Sequence, residues 1–178
     1  MFDQQRRLLL CCRFVAVLAL AALGGCMQSL EPAQPSFYRS LAAPGAELDA
    51  GAAQSMISGY RRNNGLAAIE LDPALMQIAQ EEAQAMAARD RIDRSAGRGF
   101  AERIRASGFD AKVAAENVGA GYHTLAEAFS GWRDSPSHRA NMLLPGASRM
   151  GIAAVYAPGS KYQVFWALIL AAPDGKRG

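Results

Sequence analysis

The sequence predicts an α+β fold, a three-layer α-β-α sandwich, and three observations carry that prediction. Tyr162 to Ala171, YQVFWALILA, is apolar on both alternating sets: Tyr162, Val164, Trp166, Leu168 and Leu170 on one, Gln163, Phe165, Ala167 and Ile169 on the other. A strand with no polar face has to be covered on both sides. Upstream, apolar residues recur at three- and four-residue steps, the period of helices that supply such covers. Apolar residues make up 51% of the chain, enough for a sizeable core between the layers.

Taken in order, Asp49 is placed to N-cap a helix running to about Asn63, with Gly65 as its stop signal and Met56, Ile57 and Tyr60 as a narrow apolar stripe. Ala67 to Leu71 reads as a short extended piece. Asp72-Pro73 starts a second helix. Its Leu75, Met76, Ile78, Ala79, Ala83 and Met86 mark one face to about Arg89. Arg89 to Gly99, RDRIDRSAGRG, reads as a solvated loop with local ion pairs in preference to a phosphate site. Phe100 to Ser107 is a short helix stopped by Gly108. Ala114 to Val118 is small, apolar and extended, so Glu116 inside it needs partners, because an unpaired buried carboxylate is costly. Thr124-Leu125-Ala126-Glu127 is a capping box, and the helix it opens carries Leu125, Ala128, Phe129 and Trp132 on one face. Met150 to Tyr156 and the strand from Tyr162 are joined by a Pro158-Gly159-Ser160-Lys161 turn.

Ahead of these elements lies a leader. Arg6 and Arg7 precede the apolar run Phe14 to Leu23, a length suited to a signal peptide and too short to span a bilayer. Leu23-Gly24-Gly25-Cys26 resembles the bacterial lipobox, which implies acylation of Cys26 and a membrane partner through that lipid. Two or three acyl chains anchor stably where one does not. Met27 is not the aspartate that resembles an inner-membrane retention signal, so in a host with two membranes the outer one is expected. The expected organisation is a lipoprotein signal peptide over 1–25, a proline-containing tether over 26–48 whose Phe37, Tyr38 and Leu41 either pack on the domain or make no contact, a domain over 49–172 and a polar tail over 173–178.

Charge and cysteines narrow the function classes. The first 25 residues hold three arginines and one aspartate; 16 basic and 15 acidic residues remain without them. That near-balance is no footprint for nucleic acid. Cys11, Cys12 and Cys26 all precede the domain, so neither a disulfide framework nor a cysteine metal site is expected in it.

The polar residues that look placed are in two stretches, AAENVGAG (Ala114 to Gly121) and GWRDSPSHRAN (Gly131 to Asn141). One helix ends near Asp134. Ser135 is placed to N-cap the next, with Pro136 at its first position. His138 then falls in the first turn, where the helix dipole favours a neutral ring able to accept a proton or bind a metal. The competing reading is a histidine that only bonds loop backbone. His123 reads as a loop residue outside the capping box.

Four segments, LDPALMQIAQEEAQAMA, FAERIRASGF, AAENVGAG and WRDSPSHRANMLLPGASRMGIA, together resemble the CAP superfamily, the SCP-like domain of cysteine-rich secretory, antigen 5 and plant pathogenesis-related proteins. The resemblance covers about Ala50 to Ala171 and implies the same α-β-α sandwich. It also implies a cleft of histidines and glutamates that binds zinc in some members. Glu116 and His138 match two of those positions. The third, usually histidine, is Arg94 here, which cannot ligate zinc and is placed to pair with Glu116. A divalent metal is therefore disfavoured, and no cofactor is expected. The cleft residues implied are Arg94, Glu116, Asn117, His138, Arg139 and Asn141. The expected function is a non-catalytic, lipid-anchored envelope module that binds a small lipid or amphipathic ligand, or a component of the cell envelope. The alternative is a hydrolase using Glu116 and His138 as acid-base groups, with or without a metal. Ser135 and Ser137 are weak nucleophile candidates because no orienting third residue is evident.

Overall fold

A computed structural model describes residues 34–92 and 99–175. The leader, Cys26, Arg94 and the last three residues lie outside the described residues.

Helix α1 spans Ala50–Asn63, and the Asp49 carboxylate caps it by accepting from the Ala52 amide. Gly65 just beyond has φ +74°, a left-handed conformation that glycine adopts without steric cost. Strand β1 is the two-residue piece Glu70–Leu71. Helix α2 spans Pro73–Arg89, with Pro73 in the first turn and Asp72 accepting from the amides of Ala74 and Leu75. Helix α3 is Phe100–Ala106 and strand β2 is Ala111–Ala120. Helix α4, Leu125–Asp134, opens on the complete capping box of Thr124 and Glu127. Helix α5, Pro136–Met142, follows directly, and strands β3, Arg149–Tyr156, and β4, Val164–Pro173, complete the domain.

The four strands form one sheet in the order β1-β3-β4-β2. β1 runs parallel to β3, and β4 is antiparallel to both β3 and β2. The two alternating sets of β4 divide the core as the sequence predicts. Val164, Trp166, Leu168 and Leu170 pack with residues of α1, α4 and α5, including Ile57, Ala128, Trp132 and Met142. Phe165, Ala167, Ile169 and Ala171 pack with α2 and α3 through Leu75, Ile78, Ala83, Met86 and Ile104. The result is helices on both faces of a sheet, the expected three layers.

Three places where the structure refines the sequence reading have a physical reason. β4 begins at Val164 because Gln163 takes φ +60° and cannot continue a strand. β2 is twice the expected length, since it pairs with β4 from Ala120 back to Ala111 across an irregularity near Val113. The third concerns the tether. Residues 34–48 are packed on the domain, in the same compact unit. Leu41 is buried, and its amide donates to the His123 carbonyl at 2.7 Å. Phe37 packs against the same core, and the Ser36 hydroxyl donates to Asp49 at 2.6 Å. Pro35 and Pro44 break any period here, so single anchoring residues hold this strap and no pattern announces it.

Candidate functional site

Strand β2 lies at the edge of the sheet, and its alternation sends neighbouring polar residues to opposite faces. Glu116 shares parity with Ala114 and Val118, which face α2 and α3. There Arg103 of α3 meets it in a two-pronged pair, Nη1 to Oε1 and Nη2 to Oε2, both at 3.0 Å. The Arg103 Nη2 also lies 3.4 Å from Oε2 of Glu82 on α2, and the guanidinium sits 5.5 Å from the centroid of the Phe100 ring. Glu116 and Glu82 are both buried. The carboxylate that the sequence singles out thus has its partner, from a helix the sequence reading did not connect to it. The Arg94 side of that expectation lies outside the described residues.

Asn117 points the other way, toward α5. Its Nδ2 donates to the His138 carbonyl at 2.9 Å. Asn141 Nδ2 donates to Asn117 Oδ1 at 2.9 Å and to the Glu116 carbonyl at 3.0 Å. These bonds lock the backbone of α5 to the edge of β2 and so fix where the His138 ring starts from. Asn117 and Asn141 therefore act on the backbone. Arg139 is exposed, and Ser135 occupies the N-cap position of α5 without a side-chain capping bond. Its hydroxyl instead lies 3.4 Å from that of Ser137. His123 is anchored by its backbone, accepting from Leu41 and donating to Glu127.

Beside this lock opens a cleft of about 360 Å³. His138, Trp132, Tyr122, Val118, Gly119, Ala120 and Ile92 line it, and Glu116 is not among these residues. His138 is thus brought to a mainly apolar and aromatic cleft, while the Glu116 carboxylate is held by Arg103 in the layer formed with α2 and α3. The donor set does not fit a zinc ion. Both Glu116 oxygens accept from a guanidinium, and no three histidine, cysteine or carboxylate side chains among the described residues are grouped to hold a metal.

Sequence reasoning missed Arg103 and Glu82. A signal for Glu82 existed: it falls four residues after Ile78 and four before Met86, on the buried stripe of α2. A carboxylate at such a position announces an ion pair.

The family model described as "CAP: Cysteine-rich secretory protein family" matches residues 54–170. Among curated proteins, the uncharacterized protein YkwD of Bacillus subtilis strain 168 is 29% identical over 103 residues, covering 56% of this chain and 40% of that protein. This chain therefore spans about two fifths of that relative's length. Among solved structures, an outer surface protein from Borrelia burgdorferi aligns with a TM-score of 0.63 at 19% identity, over 72% of this chain and 98% of that one. An extracellular SCP-domain protein from Bacillus anthracis aligns with a TM-score of 0.60 at 17% identity, over 68% of this chain and 39% of that one. At these identities the structural likeness speaks to the fold.

Proposed function

We propose that this chain, which belongs to the cysteine-rich secretory protein family, is an envelope module anchored by lipid at Cys26. It binds a small amphipathic ligand in the cleft beside His138 and does not transform it.

One observation carries the choice between binding and hydrolysis. The Glu116 carboxylate accepts from two guanidinium nitrogens at 3.0 Å and is buried. A general base has to reach the proton it takes, and a metal ligand has to offer a lone pair. A carboxylate neutralised in a buried pair with Arg103 is poorly suited to either task. The cleft offers apolar and aromatic walls with a few polar groups, the composition of small-molecule sites, and its volume is at the lower end of their range of about 300–1,000 Å³.

The test is calorimetry on the full chain carrying Cys26→Ser, titrated with zinc and separately with sodium octanoate, beside an Arg94→His variant. The expected outcome is octanoate uptake by the parent, lost in His138→Ala, and no zinc uptake by the parent or by Arg94→His, because Arg103 still holds both Glu116 oxygens. Zinc uptake by the parent, together with ester or peptide turnover abolished by His138→Ala, would overturn the binding reading.

A further inference from the structure

The two tryptophans of the domain pack edge to face, with centroids 6.2 Å apart and planes at 87°. Their indole N–H groups are treated differently. Trp166 Nε1 donates to the Tyr122 carbonyl at 2.8 Å. Trp132 is 1% exposed, and its Nε1 has no hydrogen-bond partner among the described residues. Buried donors are nearly always satisfied, and leaving one unpaired costs free energy, so an orphan at the wall of a cleft calls for a physical reason.

The surroundings supply one. A Cβ on Gly119 would lie 3.2 Å from the Tyr122 ring and 3.6 Å from Trp132 Nε1, so both groups crowd over the same glycine. A Cβ on Gly131 would run into the Tyr122 hydroxyl. Two glycines thus leave the space that the Tyr122 ring occupies. Close packing over Gly119 and Gly131 seats the ring at the wall of the cleft beside the orphan N–H.

We propose that Trp132 Nε1 is the donor that recognises the ligand's head group, and that Tyr122 covers it until a ligand enters. This rests on the binding reading above and names the ligand class within it. An indole N–H only donates, so the head must present an acceptor oxygen, a carboxylate or an ester carbonyl. The body must be apolar to lie against Val118, Ala120 and Ile92. The cleft of about 360 Å³ holds roughly a dozen non-hydrogen atoms at the ~30 Å³ of a liquid water each. A short-chain acyl carboxylate fits those terms.

The experiment is nuclear magnetic resonance on the full chain carrying Cys26→Ser, labelled with ¹⁵N, titrated with sodium octanoate and, separately, octylammonium chloride. The Trp166 indole signal is an internal reference, because its bond to Tyr122 is already made. Octanoate should move the Trp132 indole proton downfield and leave that of Trp166 nearly in place. Octylammonium has no acceptor and should move neither. Tyr122→Ala should uncover the donor, speed its exchange with solvent and tighten octanoate binding severalfold. Trp132→Phe should weaken octanoate by about tenfold, the worth of one hydrogen bond. If Trp132→Phe does not fold, the indole signal of the parent still decides. Octanoate shifting the Ala120 and His138 amides without moving the Trp132 indole would overturn this inference and leave the binding reading standing. Neither probe moving any cleft amide would overturn both.

Discussion

Arg61 shows how much a single side chain can organise. It lies four residues after Ile57 and eight after Ala53, on the buried stripe of α1, and is 1% exposed. Its guanidinium donates to the carbonyls of Ala67, Met142, Leu144 and Ala147 at 2.8–3.1 Å. Three of these carbonyls belong to the end of α5 and the turn after it, where helix carbonyls lack partners of their own. Burial pulls the guanidinium below the ordinary arginine value, yet arginine remains a cation at any pH at which the protein folds. Arg61→Ala should destabilise the domain by about 3–5 kcal/mol, because it strands several buried acceptors at once. Arg61→Lys should recover only part, since one ammonium cannot span the set; urea denaturation of the two variants checks both. The Arg103–Glu116 pair follows the same logic. Arg103→Met leaves a buried carboxylate unpaired, a loss of about 3–5 kcal/mol. Adding Glu116→Gln should give part of that back. A double-mutant cycle by urea denaturation should return a coupling of about 1–3 kcal/mol, and additive losses would mean the two groups act independently.

Helices and strands were the most legible part of the sequence, and their meeting points the least. Asp49, Asp72-Pro73 and the Thr124 capping box announced three helix starts because each cap is a local bond between residues two or three apart. The two apolar sets of β4 announced both covering layers. The Arg103–Glu116 pair spans 13 residues and joins a helix to a strand, so no local pattern encodes it. The same holds for the alternation that separates Glu116 from Asn117, which matters only once α2 and α5 are known to lie on opposite faces. Gly151 is another contact that only the fold reveals. It sits in β3 where α2 crosses, and a Cβ there would collide with the Leu75 carbonyl and crowd the Met76 amide. Backbone cannot yield as a side-chain tip can. Gly151→Ala should therefore lift α2 from the sheet, break the contact between the Ile152 amide and Met76 Sδ, and cost about 3 kcal/mol or more. The midpoint of chemical denaturation measures it.

At the scale of the whole molecule, the strap of residues 34–48 joins the entry of the chain to the rim of the cleft. Leu41 bonds to His123, the neighbour of Tyr122, whose carbonyl receives the Trp166 indole. A chain beginning at Glu47 loses that link and the burial of Leu41, worth about 1.5–3 kcal/mol for such a side chain. It should melt at lower temperature than a chain beginning at Gln34. The strap also carries a pH signature. The Ser36 hydroxyl, and after it the Ala52 amide, hold the Asp49 carboxyl below its ordinary value of 3.8. A depressed carboxyl contributes stability that is complete above the unfolded value and fades as pH falls through the folded one. Asp49→Asn should therefore flatten the acid limb of the stability curve below about pH 4 and change little of its shape near neutrality. The shorter chain, which lacks Ser36, should show part of the same flattening. An acid limb identical in the two chains would mean that Ser36 does not hold Asp49 in solution and that the strap is seated by Leu41 and Phe37 alone.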